Sequence, residues 1–388
     1  MVHHQIVQGL IRQPSLLFLV GAFAVLMALM IPAYFYVYRP KLNSTEWIGR
    51  LDRRSFQPLT AGALNLADIV WGLLSMLCAA FLWLVYIILW RKVLLQDGPF
   101  GFILRHLRSA IPIMLIAIAL YLLIRLMYGK PLPAILCAIL GSITVLNQPK
   151  ALAMFTVSLL FLYLWACTPY DKPLFFNAIW LALSVAAYGL ALLYSFPLIW
   201  AAPFYAGVYI AVQVLRWKHG NPERRGKKLA ASILLLLLLL AAGFIAVWLA
   251  YCVRHDMGSP IILLRSFSFY RRLIPAMLSR FATLTHRSSY WDALKFSDSF
   301  CFITGVIALV PLLHGLIKLR DSRCLFLVLL LPCLLLAWYF SACYALIPVF
   351  AMIIGWCWSL FVQRGRPLFA VGFAATYLLF LFAELFIH

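Results

Sequence analysis

An all-α membrane fold with about 11–12 transmembrane helices is the class this sequence predicts, and three observations predict it. Hydrophobic residues make up 65% of the 388 and charged residues 11%, against about 45–50% and about 25% in soluble domains. Mean hydropathy is +0.99. Apolar segments then recur along the whole chain, most near the roughly 20 residues that cross hydrocarbon as a helix. Helices are the physical choice because a backbone in lipid must satisfy its own hydrogen bonds. Nothing alternates with period two as barrel strands would. The chain reads as a single integral membrane domain over 1–388.

Twelve segments are read as spans: 15–38, 67–90, 109–127, 131–146, 151–168, 174–194, 197–215, 229–252, 299–317, 324–340, 343–361 and 367–387. The first follows Arg12, is too long for a signal-peptide core, and is read as an uncleaved anchor. The segment 131–146 is the weakest, being short and bracketed by Pro131, Pro133 and Pro149. The Ser195-Phe196-Pro197 junction is the other suspect break.

Charge assigns sides. Lys and Arg number 32 and Asp and Glu 11, a net charge of +21. The basic residues sit in short loops between apolar runs, which is a topology signal before it is a nucleic-acid signal; no nucleic-acid partner is expected. The rest of the excess fits anionic lipid head groups. The dense run 216–228 (RWKHGNPERRGKK) holds six basic residues and one acidic and reads as cytoplasmic. The loop 91–108, with four basic and one acidic, reads the same way. The two placements conflict, because an odd number of segments lies between them. Residues 39–66 read as a first external loop. Residues 253–298, with seven Lys/Arg and three Asp, read as a long external loop with an interfacial helix.

Several functions are excluded by what is missing. There is no Gly-Lys-Ser/Thr phosphate loop and no Cys/His spacing for zinc. No loop is long enough for a soluble nucleotide-sugar domain. The nine cysteines lie mostly inside apolar runs (Cys78, Cys137, Cys333, Cys357), where the ordinary role is a small buried hydrophobe.

From about residue 97 to 360 the pattern of spans and breaks becomes specific. The stretch SAIPIMLIAIALYLLIRLMYGKPLPAILCAILGSITVLNQPKALAMFTVSLLFLYLW ends one span in the knuckle Arg125-Leu126-Met127-Tyr128-Gly129. A small-residue span, a polar break and another span follow. WLALSVAAYGLALLYSFPLIWAAPFYAGVYIAVQVLRW repeats the idea and ends in a basic loop. The late segment Tyr344-Ala345-Leu346-Ile347-Pro348 opens another span. This pattern resembles the GT-C superfamily of polyprenyl-phosphate-dependent membrane glycosyltransferases, in particular the protein O-mannosyltransferases and the aminoarabinose lipid A transferases.

The resemblance implies an enzyme. It would transfer a hexosyl or pentosyl unit with inversion from a polyprenyl-phosphate-linked sugar to a lipid or cell-surface glycan acceptor. It would work as a multi-pass protein of the bacterial plasma (inner) membrane. It requires no cofactor with certainty and leaves a divalent metal ion open. The family places its catalytic acid in the first external loop, which implies Asp52, Glu46 or Asp68 here. The chain departs from the family in having no adjacent acidic pair in that loop.

Read as residues, each candidate has a plainer role beside the catalytic one. Asp52 stands beside Arg50, Arg53 and Arg54, which would hold it ionised or simply pair with it. Glu46 is otherwise an exposed loop residue. Asp68 follows Asn65 and suits a helix cap. Asp97, Asp171 and Asp321 read as turn formers, and Glu223 as a solvated ion pair. For cations, Arg265, Arg272 and Arg280 recur at steps of seven and eight. That spacing places them near one face of an interfacial helix, either as a membrane anchor or as forks for a lipid phosphate. His286 and Arg287 follow in an aromatic stretch with Tyr290 and Trp291. Tyr344 lies near the interface and would line the same site. Arg125 reads as snorkelling from an apolar span. A flippase for lipid-linked sugar and a scaffold that has lost its active acid are the alternatives. The twelve spans suit a flippase, but the halves show no repeat.

Overall fold

The computed structural model describes residues 29–34, 61–91, 94–143, 149–168, 174–219, 296–319, 321–339 and 345–387, together with residues 25, 36, 59 and the pair 233–234. Among them the α-helices are α1 (Leu66–Arg91), α2 (Leu94–Tyr128), α3 (Pro131–Ile143), α4 (Pro149–Cys167), α5 (Leu174–Tyr194), α6 (Ala202–His219), α7 (Phe296–His314), α8 (Ser322–Tyr339), α9 (Leu346–Gln363) and α10 (Pro367–Ile387). A 3₁₀ turn, Phe196–Ala201, joins α5 to α6, and a π-turn, Gly315–Leu319, leads from α7 toward α8. No strand occurs among the described residues.

The chain is an all-α membrane protein. Four helical stretches are long and apolar enough to cross a bilayer: Leu66–Val85, Ala110–Tyr128, Pro149–Cys167 and Leu346–Gln363. In the other helices the apolar stretch is shorter, such as Ala178–Tyr194 and Pro367–Leu379, and α7 and α8 each carry an internal proline, Pro311 and Pro332. Large apolar side chains stand exposed on the outer faces, Phe81, Leu368 and Leu379 among them, where a soluble fold would place charges.

Side-chain pairs fix the direction of each helix. Asp68 meets Arg125 while Gly72 abuts Tyr121, so α1 and α2 run antiparallel. Phe161 stacks on Trp180 and Phe155 leans on Tyr188, so α4 and α5 do the same. Ser158 and Ser184 bond reciprocally, each hydroxyl donating to the other's carbonyl at 2.7 and 2.9 Å. This satisfies two polar groups in the apolar interior. The 3₁₀ turn then reverses the chain. Tyr205 of α6 stacks on Tyr188 with ring centres 4.4 Å apart, and Tyr209 stacks on Trp165. Of the two suspects of the sequence, the segment 131–146 contains a helix of its own, α3, of 13 residues, and the Ser195-Phe196-Pro197 junction is the 3₁₀ turn that separates α5 from α6.

One end of this bundle gathers the N-terminus of α1 and the C-termini of α2, α4, α6 and α9. The N-termini of α3, α8 and α10 lie there too. Two of the reversals at this end use the same device. Gly129 (φ 71°) donates its N–H to the Arg125 carbonyl at 2.8 Å, and Pro131 opens α3. Gly365 (φ 73°) caps α9 while Arg366 N–H donates to the Phe361 carbonyl, and Pro367 opens α10. Only glycine takes that left-handed backbone without penalty, and proline's fixed φ and missing donor suit the first helical turn.

Residues 94–108, read as a loop, are the first turns of α2, and five helices, α2 to α6, run from there to 216–228, so the two basic stretches fall at opposite ends of the bundle. Only one of the two cytoplasmic placements made from charge can hold. The N-terminus of α1 and the C-terminus of α6 share the same end. The external reading of 39–66 and the cytoplasmic reading of 216–228 therefore cannot both hold, although most of the two segments lies outside the described residues. In a background with the nine native cysteines replaced, Leu64→Cys and His219→Cys are expected to react with a membrane-impermeant maleimide from one side, and Lys150→Cys from the other. Reaction of Leu64→Cys and His219→Cys from opposite sides would overturn this helix order.

Candidate functional site

The polar atoms of the bundle concentrate at that shared end. The run Leu120–Met127 is apolar except for Tyr121 and Arg125, and both turn toward α1. Arg125 Nε donates to Asp68 Oδ1 at 2.7 Å and Nη2 to Oδ2 at 3.1 Å. This is the forked geometry that a planar guanidinium makes with a carboxylate. The two side chains are 12% and 6% exposed. Tyr121 Oη donates to Asp68 Oδ1 at 3.4 Å, and the Asn65 N–H donates to Oδ2 at 2.8 Å. Asp68 thus closes a capping box on Asn65, satisfying a free N–H of the first turn, while it neutralises a buried cation. The segment before α1 is pinned here as well: Gly62 N–H donates to the Leu126 carbonyl at 2.8 Å.

A second pair sits where α8 begins. Arg323 Nη2 donates to Asp321 Oδ2 at 2.6 Å and Nη1 to the Met127 carbonyl at 2.6 Å. The guanidinium lies 5.7 Å from the centre of the Tyr128 ring, within cation–π range. Asp321 also accepts the Arg323 backbone N–H at 2.9 Å. Arg323 therefore caps the carbonyl end of α2 from a helix 196 residues further along. Tyr128 completes the tie by donating to the Met352 carbonyl of α9 at 3.1 Å.

No family model matches the chain, and no curated protein or solved structure matches it.

The site therefore rests on its residues. Of the three carboxylates read as catalytic, Asp68 is described and Glu46 and Asp52 lie outside the described residues. Both Asp68 oxygens are occupied, by Arg125, Tyr121 and the Asn65 N–H, which is the arrangement of a cap and an ion pair. Asn65 holds the cap position that the sequence reading gave Asp68, and Asp68 closes onto it from three residues inside. Arg265, Arg272, Arg280, His286, Arg287 and Tyr344 also lie outside the described residues. Asp321 accepts the Arg323 N–H in a turn at the start of α8, with the Arg323 guanidinium as an added partner, whereas Asp97, also read as a turn former, lies inside α2 and Asp171 lies outside the described residues.

The sequence reading missed Arg125 and Arg323 as organising residues. The signal for Arg125 was present: an arginine in an apolar run needs a partner at its own depth, and Asp68 is the carboxylate at the matching edge of the preceding span. Arg323 gave no such signal, since its distant acceptor is the Met127 backbone carbonyl. Among the described residues no three His, Cys, Asp or Glu side chains come together in a way that would hold a metal ion. The gap between α3, α9 and α10, lined by Cys137, Gly141, Ala351, Trp358 and Tyr377, is apolar and holds no charged group.

Proposed function

We propose that this chain is a GT-C-type glycosyltransferase of a bacterial plasma membrane, with about 11–12 spans. It would move a sugar from a polyprenyl-phosphate donor to a lipid or glycan acceptor. The observation that carries the proposal is the shared end of the bundle. The segment leading out of 39–66, which bears Glu46 and Asp52, enters α1 at Asn65 beside Arg125, whose side chain is 12% exposed. Transfer from a lipid phosphate needs that combination at the membrane edge. A carboxylate must orient or deprotonate the acceptor hydroxyl, and fixed cations must stabilise the phosphate as it leaves with growing charge. The resemblance in spans and breaks over 97–360 supports the same reading.

Within this proposal Asp52 is the base, ahead of Glu46. Asp68 comes third, because its oxygens are already engaged. Arg265, Arg272, Arg280, His286, Arg287 and Tyr344 would serve the donor phosphate and sugar. The engagement of Asp68 favours a second reading, a scaffold subunit of the same ancestry in which no free acid remains. The two separate in a transfer assay with the purified chain in vesicles carrying lipid-linked sugars. Asp52→Asn is expected to lower turnover by about 10²–10⁴ with folding intact. Near-normal transfer in Asp52→Asn, Glu46→Gln and Asp68→Asn alike would place the base elsewhere. Absence of transfer by the unmodified chain across donors would leave the scaffold.

A further inference from the structure

We propose that Arg125 is a phosphate-binding point at the membrane edge, taking the phosphate ester of a lipid through its third guanidinium nitrogen. The fork spends Nε and Nη2 on Asp68, and among the described residues Nη1 makes no hydrogen bond. Two glycines frame that nitrogen. A Cβ on Gly62 would lie 3.7 Å from it and a Cβ on Gly129 would lie 3.8 Å from it. Both positions lack a side chain, and Arg125 keeps 12% of its side-chain surface exposed. Gly129 takes its left-handed turn at the same spot, and Lys130 follows directly, half-buried and with no hydrogen bond or ion pair among the described residues.

The charges decide what the pocket takes. Asp68 neutralises Arg125, and Lys130, which has no ion pair among the described residues, leaves one positive charge over beside that turn. Asp68 holds the guanidinium still and leaves three of its five N–H donors unused, two of them on Nη1. An immobilised donor loses little entropy on binding an oxyanion, and a guanidinium bond to a phosphate oxygen is charge-assisted. The other ion pair at this end has no such vacancy. Arg323 spends Nε and Nη2 on Asp321 and Nη1 on the Met127 carbonyl.

The inference draws its biological use from the transferase reading. Its test does not, since binding is measured without sugar or acceptor. Detergent-purified full-length chain is titrated by native mass spectrometry with a long-chain prenyl monophosphate, with dioleoyl phosphatidylglycerol, or with inorganic phosphate. Arg125→Lys keeps a charge for Asp68 and removes the fork. Gly62→Ala narrows the approach. Each is expected to weaken phosphate-lipid binding by about tenfold or more, while Arg364→Gln, an exposed arginine at the same end, leaves it unchanged. If Arg125→Lys does not fold, the neutral pair Asp68→Asn/Arg125→Gln replaces it. Arg125-dependent binding of inorganic phosphate alone would support the anion point and assign it to a free anion. Unchanged lipid affinity in folded Arg125→Lys and Gly62→Ala, or an equal loss in Arg364→Gln, would overturn the proposal.

Discussion

Asp68→Ala is expected to cost the bundle about 3–5 kcal/mol, because it strands Arg125 as an unpaired cation with most of its side chain buried. The same substitution removes the acceptor for the Asn65 N–H and the Tyr121 hydroxyl, and each lost partner leaves a donor to be satisfied by water. Replacing both charges by apolar residues of similar size, Asp68→Leu with Arg125→Met, is expected to recover most of that loss. Removing a buried pair together is often neutral, whereas removing one member is not. The measurement is unfolding in mixed micelles or a thermal melt in detergent, with the double-mutant cycle giving the coupling. A loss below about 1 kcal/mol in Asp68→Ala, the range of exposed pairs, would mean that Arg125 reaches water and that the pair is not buried.

Gly305→Ala carries the second large effect. Gly305 of α7 lies so close to α9 that a Cβ there would overlap the ring and the Cβ of Phe350. Phe350 is 2% exposed, so its ring has nowhere to swing, and its Cβ moves only with the backbone. Overpacking of this kind typically costs about 1–3 kcal/mol and sometimes more. Small residues at helix crossings let backbones approach in membranes, where van der Waals contact does much of the work of association. Gly207→Ala is the control. No heavy atom lies within 4 Å of its new Cβ, so the helix gains the roughly 1 kcal/mol by which alanine exceeds glycine. Pairing Gly305→Ala with Phe350→Ala should relieve the clash in part. Equal effects at 305 and 207 would show that α7 and α9 do not meet there.

The membrane class was legible because it depends on composition and on run length, both local properties. The knuckle ending at Gly129 was legible for the same reason, and the reversal at Gly365-Arg366-Pro367, written in neighbouring positions too, went unread. The breaks at 131–146 and 195–197 were seen as weak, but their outcome depended on partners. Helix α3 is held by α2, α1 and α9, and the 3₁₀ turn is held by α8. Neither dependence shows in the local sequence. The pairing of Asp68 with Arg125 spans 57 residues, and that of Arg323 with Met127 spans 196. Such pairings are chosen by depth in the membrane and by helix direction, which a single sequence encodes only through the sum of its parts. The candidate base and the repeating arginines of 253–298 were read from position and spacing, and they stand as proposals.

The salt bridge between α1 and α2 also bears on how the chain enters the bilayer in the first place. A lone arginine within a span disfavours its partition from the translocation channel into lipid by up to about 2.5–3.5 kcal/mol near the centre, and by less toward the edge. Asp68 is synthesised first, on the helix that precedes and packs against α2, at the depth where Arg125 arrives. The two helices can leave the channel as a neutralised hairpin, each carrying the counter-ion of the other. The pair is then a feature of biosynthesis as much as of the finished fold, with the order of residues along the chain setting the order of its assembly.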